Sequence, residues 1–311
     1  MSDLLLDPTH AREPLQASFS DAHNPLGLNG IEFVEYATSA PQALGHVLEM
    51  MGFRPVARHR SREVLLYRQG GLNIVVNAHP SAGADATGTD PSTPTLSAVA
   101  LRVRDAGAAY RYVIERGGWE APTHPQAMEL NIPAIHGAGS SRIHFVDRYR
   151  ELSIYDIDFV PIPSVDPHPP AIAGMRFFGI VQYIGLGRSN DWIEFYAELL
   201  GTTLIPDEQR FGIMPAGKLL QAPAIEAANG FMLQLVEPPI DVVDSPREQL
   251  QRIGLGVPDV LAAVKALRGL GIEFVETDAA HTERRGALTK TYLGNVAFEL
   301  VQSASQEEAM P

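Results

Sequence analysis

An internal repeat constrains this chain more than anything else in it, because a segment that recurs at fixed spacing must build the same unit more than once. Gly30 to Tyr36 alternates in the manner of a half-buried strand. Pro41 to Met51 follows with Leu44, Val47, Leu48 and Met51 at helical spacing, and Gly52 ends the run. The arrangement returns 149 residues later, with Gly179 standing where Gly30 stood. Gly179 to Ile184 is the strand, Trp192, Phe195, Tyr196, Leu199 and Leu200 make the helical stripe, and Gly201 closes it. A second kind of unit opens at Ser97 to Val103, continues through Asp105 as a helix N-cap, and puts Tyr110, Val113 and Ile114 on one face. Its copy is Arg252 to Val257, capped by Asp259, with Val260, Val264 and Leu267 facing inward.

Strand-like runs follow the helices: Glu63 to Tyr67, Leu72 to Asn77, Ile143 to Val146, Leu152 to Phe159, Phe231 to Val236 and Lys290 to Val301. The unit is thus strand, helix, then two or three strands, present four times in two pairs. This predicts an α+β fold of two domains, each a curved antiparallel sheet with helices outside and a concave inside. The expected boundaries are a tail over 1–24, a first domain over 25–160, a linker over 161–175, a second domain over 176–302 and a tail over 303–311. The linker is placed by Pro161, Pro163, Pro167, Pro169 and Pro170, which no ladder or helix interior accommodates.

With 311 residues, 45% of them hydrophobic, the chain can bury a core of that size. Its net charge of −13 repels nucleic acid and anionic membranes, which points to small molecules or other proteins as partners. The absence of cysteine excludes disulfides, thiolate metal sites and a cysteine nucleophile. No apolar run of signal-peptide or membrane-helix length is present, so a cytoplasmic protein is expected. There is no phosphate loop, nucleophile elbow or zinc-protease helix.

Several peptides carry a family likeness. They are Asn24 to Gly27, Gly30 to Glu35, Met51-Gly52-Phe53, His59-Arg60-Ser61, Leu66 to Gly70, Met128 to Ile135, Phe145 to Tyr149 and Ser153 to Phe159. In this order they resemble the N-terminal domain of bacterial 4-hydroxyphenylpyruvate dioxygenases, of the vicinal oxygen chelate superfamily, which is built from paired βαβββ modules. The likeness is dense from 24 to 160 and sparser from 176 to 302. It implies an N-terminal domain without metal, where Glu129-Leu130-Asn131 and His59-Arg60-Ser61 are structural or subunit-contact peptides. It further implies a C-terminal domain that holds Fe(II) through two histidines and a glutamate, with a 2-oxo acid chelating the iron and oxygen bound beside it. Homo-oligomers are implied as well.

Carried over residue by residue, the ligand set does not transfer whole. The family's first histidine falls on Gly179, the second on Arg252, seven residues before the capping Asp259, and only the glutamate matches, at Glu299. Glycine offers no ligand, and a guanidinium is permanently cationic. Gln182 is a weak oxygen donor three residues from Gly179, hence on the opposite strand face. Of the ten histidines only His168 and His281 lie in the C-terminal half, and His281 is the candidate substitute ligand. Glu299 itself can be read as a general base or as the partner of Arg252 in an ion pair, and the ion pair is favoured. Arg252, Gln251, Gln234, Gln221 and Lys218 are the candidates for recognising a polar ligand. The expected function is a family member diverged at its metal site that binds a small organic (2-oxo) acid. The alternative is an Fe(II)-dependent dioxygenase of an aromatic 2-oxo acid with a different ligand set.

Overall fold

The computed structural model describes residues 23–78, 90–123, 125, 129–139, 141–207, 217–238, 247–275 and 286–303. The first repeat folds as β1 (Ile31–Ala37), α1 (Pro41–Met50), β2 (Arg54–His59), β3 (Val64–Gln69) and β4 (Leu72–Asn77). The second is β5 (Thr95–Arg102), α2 (Ala106–Glu115), β6 (Ala134–His136) and β7 (Arg142–Val146), followed by α3 (Ile154–Asp158) and β8 (Phe159–Pro161). The third is β9 (Arg176–Tyr183), α4 (Ser189–Leu200), β10 (Thr203–Leu204), β11 (Lys218–Gln221) and β12 (Met232–Val236). The fourth is β13 (Gln249–Val257), α5 (Val260–Gly269), β14 (Ala287–Leu288) and β15 (Phe298–Gln302).

The repeat predicts this order because each copy carries the same stop signals. Asp105 and Asp259 accept from the amides of Ala108 and Ala262, which caps α2 and α5 alike. Gly201 ends α4 at φ 70°, a left-handed conformation that glycine adopts without strain. Pairing repeats too. β1 runs parallel to β4 and antiparallel to β5, while β9 runs parallel to β12 and antiparallel to β13. β5 then pairs in parallel with β7, and β13 with β15.

Two expected strands differ. Leu152 to Phe159 is not a strand, because Ser153 and Asp156 form a reciprocal capping box that winds Ile154–Asp158 into one helical turn. Of Lys290 to Val301, only the end from Phe298 is laddered; Tyr292 and Val296 close a turn instead. The segment 161–175 is held against the first half by hydrogen bonds from the Ile162 amide to Val56 O and from the Gly70 amide to Pro169 O. The Ile172 amide also donates to Gln69 Oε1.

Among the described residues, the two halves meet in one sheet through the single pair Leu250 and Leu96. On the convex side, one apolar cluster takes in Leu44, Val47 and Val113 from the first half and Trp192, Leu199 and Val264 from the second. The first concave face holds a smaller cluster in which Tyr155 and Phe159 pack over Phe33, Val75 and Ala100.

Candidate functional site

Strand register gathers the C-terminal candidates. Glu299 pairs with Gly254, Gly254 with Gly179, Gly179 with Met232, and Met232 with Gln221, so one row crosses five strands. The next row holds Arg252, Val181 and Gln234. Side chains alternate along a strand with period two, so both rows face the concave side. A bulge in β13 secures this for Arg252. Register passes from Leu250 opposite Gln182 to Arg252 opposite Val181, leaving Gln251 unpaired between them. Gln182 therefore turns outward, where its Oε1 accepts from the Tyr196 hydroxyl at 2.5 Å.

Within the cup, Arg252 Nε lies 3.0 Å from Glu299 Oε2, the side chains being 3% and 5% exposed. Arg252 Nη1 donates to Gln251 Oε1 at 3.2 Å. Both charges have left water, and each offsets part of the other's desolvation. The pair expected from the sequence is thus present, at the place where the resemblance puts a metal. Gly179 contributes more than an absent side chain. A Cβ built there would stand 2.3 Å from the Met232 carbonyl oxygen, so the neighbouring backbone occupies the first ~1.5 Å of any side chain's path.

Fe(II) does not fit the described donors. A guanidinium beside Glu299 repels a cation, and among the described residues no three His, Asp or Glu gather to hold a metal. His281 lies outside the described residues. Lys218 is corrected in place: it pairs with Leu235, which shares the outward face with Gln182, and its Nζ lies 3.5 Å from Asp207. Strand alternation separates it from Arg252. Gln221 and Gln234 share the concave face with Arg252, although Gln221 is exposed. His168 is exposed on the segment packed against the first half.

The peptides of the first half that carry the family likeness knit a loop to its sheet. Glu129 accepts a bidentate pair from Arg62, at 3.1 and 2.5 Å, and also the Ser61 hydroxyl. The N-terminal cup also holds groups that the sequence reading passes over. Val75, Glu35, Ala98 and Arg142 form one row, with His144 two residues on from Arg142. Extending the repeat finds His144. Val99 pairs with Ile143 as Ile253 pairs with Phe298, which puts His144 in the place of Glu299.

Burial raises the Glu35 carboxyl above its ordinary range against hydrogen bonds from Ser97 (2.9 Å) and Asn77 (3.3 Å). A raised folded-state pKa means that the unfolded chain ionises first, so Glu35 lowers stability as pH rises from 4.5 through its folded value. An amide in place of the carboxyl cannot titrate. Glu35→Gln is therefore expected to melt higher than wild type at neutral pH, with the gain vanishing as pH falls to 4.5. Thermal melts of both proteins across that range check the sign.

Paired βαβββ cups of this topology define a vicinal oxygen chelate, glyoxalase-like protein. The chain also superposes on a xylose isomerase-like TIM barrel/4-hydroxyphenylpyruvate dioxygenase fusion protein with a TM-score of 0.67 at 21% identity, over 88% of this chain and 49% of that one. Residues 22–160 match the family model for the N-terminal region of hydroxyphenylpyruvate dioxygenase. The 4-hydroxyphenylpyruvate dioxygenase of Pseudomonas sp. (strain P.J. 874) is 40% identical over 57% of this chain and 49% of its own length. That of Pseudomonas aeruginosa is 31% identical over 85% of this chain and 76% of its own length. The chain belongs to the 4-hydroxyphenylpyruvate dioxygenase family, while its alignment spans about half of the first of these relatives. Among the described residues no helix is long and apolar enough to cross a membrane.

Proposed function

We propose that this chain is a diverged member of its family whose C-terminal cup binds a small organic acid of the 2-oxo type without an iron centre. The observation that carries the reading is the buried pair of Arg252 and Glu299, at 3.0 Å. Where a metal would chelate the carboxylate and oxo groups of such an acid, an entering ligand meets a guanidinium, which grips planar anions through paired N–H donors. Gln234 and Gln251 supply polar groups beside it, Gln251 already joined to Arg252. The division at 161–175, with ligand chemistry assigned to 176–302, belongs to the same proposal.

The test is direct. Purified protein is expected to retain no stoichiometric iron after incubation with Fe(II), and to consume no oxygen with 4-hydroxyphenylpyruvate. Calorimetry should nevertheless detect binding of that acid, weakened roughly tenfold by Arg252→Lys, which keeps the charge but loses the fork. Stoichiometric iron with turnover would sink this reading in favour of an Fe(II)-dependent dioxygenase using other ligands. Absence of acid binding would sink its ligand half.

A further inference from the structure

The N-terminal cup contains a cavity of about 190 Å³ between the inner face of its sheet and α3. That is well under the ~300 Å³ at which drug-sized sites begin, so the space suits about one ring and a short substituent. Phe33, Val75, Ile132 and Phe159 give it apolar walls. Glu35, Arg142 and His144 give it polar ends. Glu35 and Arg142 flank Ala98 in one row, so at the usual strand spacing their Cα atoms are about 10 Å apart, with only a methyl group between.

Each polar group is poised differently. Arg142 forms no ion pair among the described residues, whereas nearby Arg62 is bound to Glu129. His144 hydrogen-bonds the backbone of Ile132 through one ring nitrogen, while its buried Nδ1 has no partner among the described residues. The nitrogen facing a carbonyl carries the proton, which leaves Nδ1 presenting a lone pair. Burial and Arg142 lower the His144 pKa to about 4, so the ring is neutral at physiological pH. An acceptor that is buried and unmatched is costly unless something donates to it.

We infer that the N-terminal cup is a second ligand site, for a small hydroxylated monocyclic carboxylic acid whose carboxylate pairs with Arg142 and whose hydroxyl donates to His144 Nδ1. The ring lies against Phe33, Val75 and Ile132, and Glu35 stands across Ala98 from Arg142. This site is separate from the cup that holds Arg252, so either can fail without the other.

The test uses the full chain, 4-hydroxybenzoate as probe and benzoate as the analogue without the donor. Calorimetry is expected to show 4-hydroxybenzoate binding more tightly than benzoate, and NMR to show the His144 ring resonances shifting as the probe is added. Arg142→Ala, at an exposed position, should fold normally and weaken binding roughly ten- to hundredfold, the loss of one charged hydrogen-bonded pair. Ile132→Trp should fill the slot and abolish the His144 shift. Equal affinity for the two acids, binding undiminished in Arg142→Ala, or no His144 shift at millimolar probe would each overturn the proposal.

Discussion

Arg252→Met is expected to cost about 3–5 kcal/mol of folding stability, because it removes the guanidinium 3.0 Å from the Glu299 carboxylate in a site only 5% exposed. Arg252→Met combined with Glu299→Leu should recover that loss, and can exceed wild type by about 1–4 kcal/mol where the replacements pack well. The comparison separates two accounts of the pair. If it is a relic tolerated by the fold, the double variant is as stable as wild type and keeps its acid affinity. If the cup recognises a carboxylate through Arg252, the double variant is stable but no longer binds. Urea denaturation and calorimetry on the same three proteins read both quantities. A single variant costing under about 1 kcal/mol would mean that water reaches Glu299, since exposed pairs are worth no more than that.

The second large effect concerns Gly179. Gly179→Ala is expected to destabilise by about 1–3 kcal/mol, the usual cost of forcing a methyl group into filled space. Here the obstructing atom is the Met232 carbonyl oxygen, 2.3 Å from the new Cβ, and a backbone atom cannot swing aside as a side chain can. Gly254→Ala, one strand over, makes the matched control, because its nearest contact is 3.4 Å, to Gly179 O. It should cost clearly less. The same obstruction bears on rebuilding the family's iron ligands. Gly179→His with Arg252→His supplies two imidazoles on paper, yet the strands β9 and β12 must separate before the first can enter. The double variant is expected to bind no iron stoichiometrically, measured by metal analysis after dialysis. Gly179→Ala within about 0.5 kcal/mol of wild type would sink the steric argument, that being the range of unobstructed substitutions.

Much of the C-terminal cup is legible in the sequence because its geometry is periodic. The repeat fixes which residues of β9 and β13 correspond to Gly30 and Ala98, and two-residue alternation puts Gln182 behind the sheet. Lys218 shows where that logic stops. Its strand is four residues long, and only the observed pairing with Leu235 tells which face it takes. The bulge at Gln251 is likewise a one-residue slip that composition does not announce. Leu152 to Phe159 reads as a strand because of its apolar content, while a local capping box decides otherwise. The N-terminal cavity escapes the sequence for a different reason. Glu35 is far along the chain from Arg142 and His144, and only β1, β5 and β7 lying side by side brings the three to one wall.

The apolar cluster shared by the two halves has a consequence for folding. Each half supplies helices to a single convex core, and α2 meets α4 across it, so parting the halves would uncover apolar surface on both. At roughly 25 cal/mol for each Å² uncovered, such exposure outweighs what one backbone pair between β5 and β13 could hold. The duplicated chain is accordingly expected to unfold as one cooperative unit, in which either cup draws its stability from the other half as well as its own.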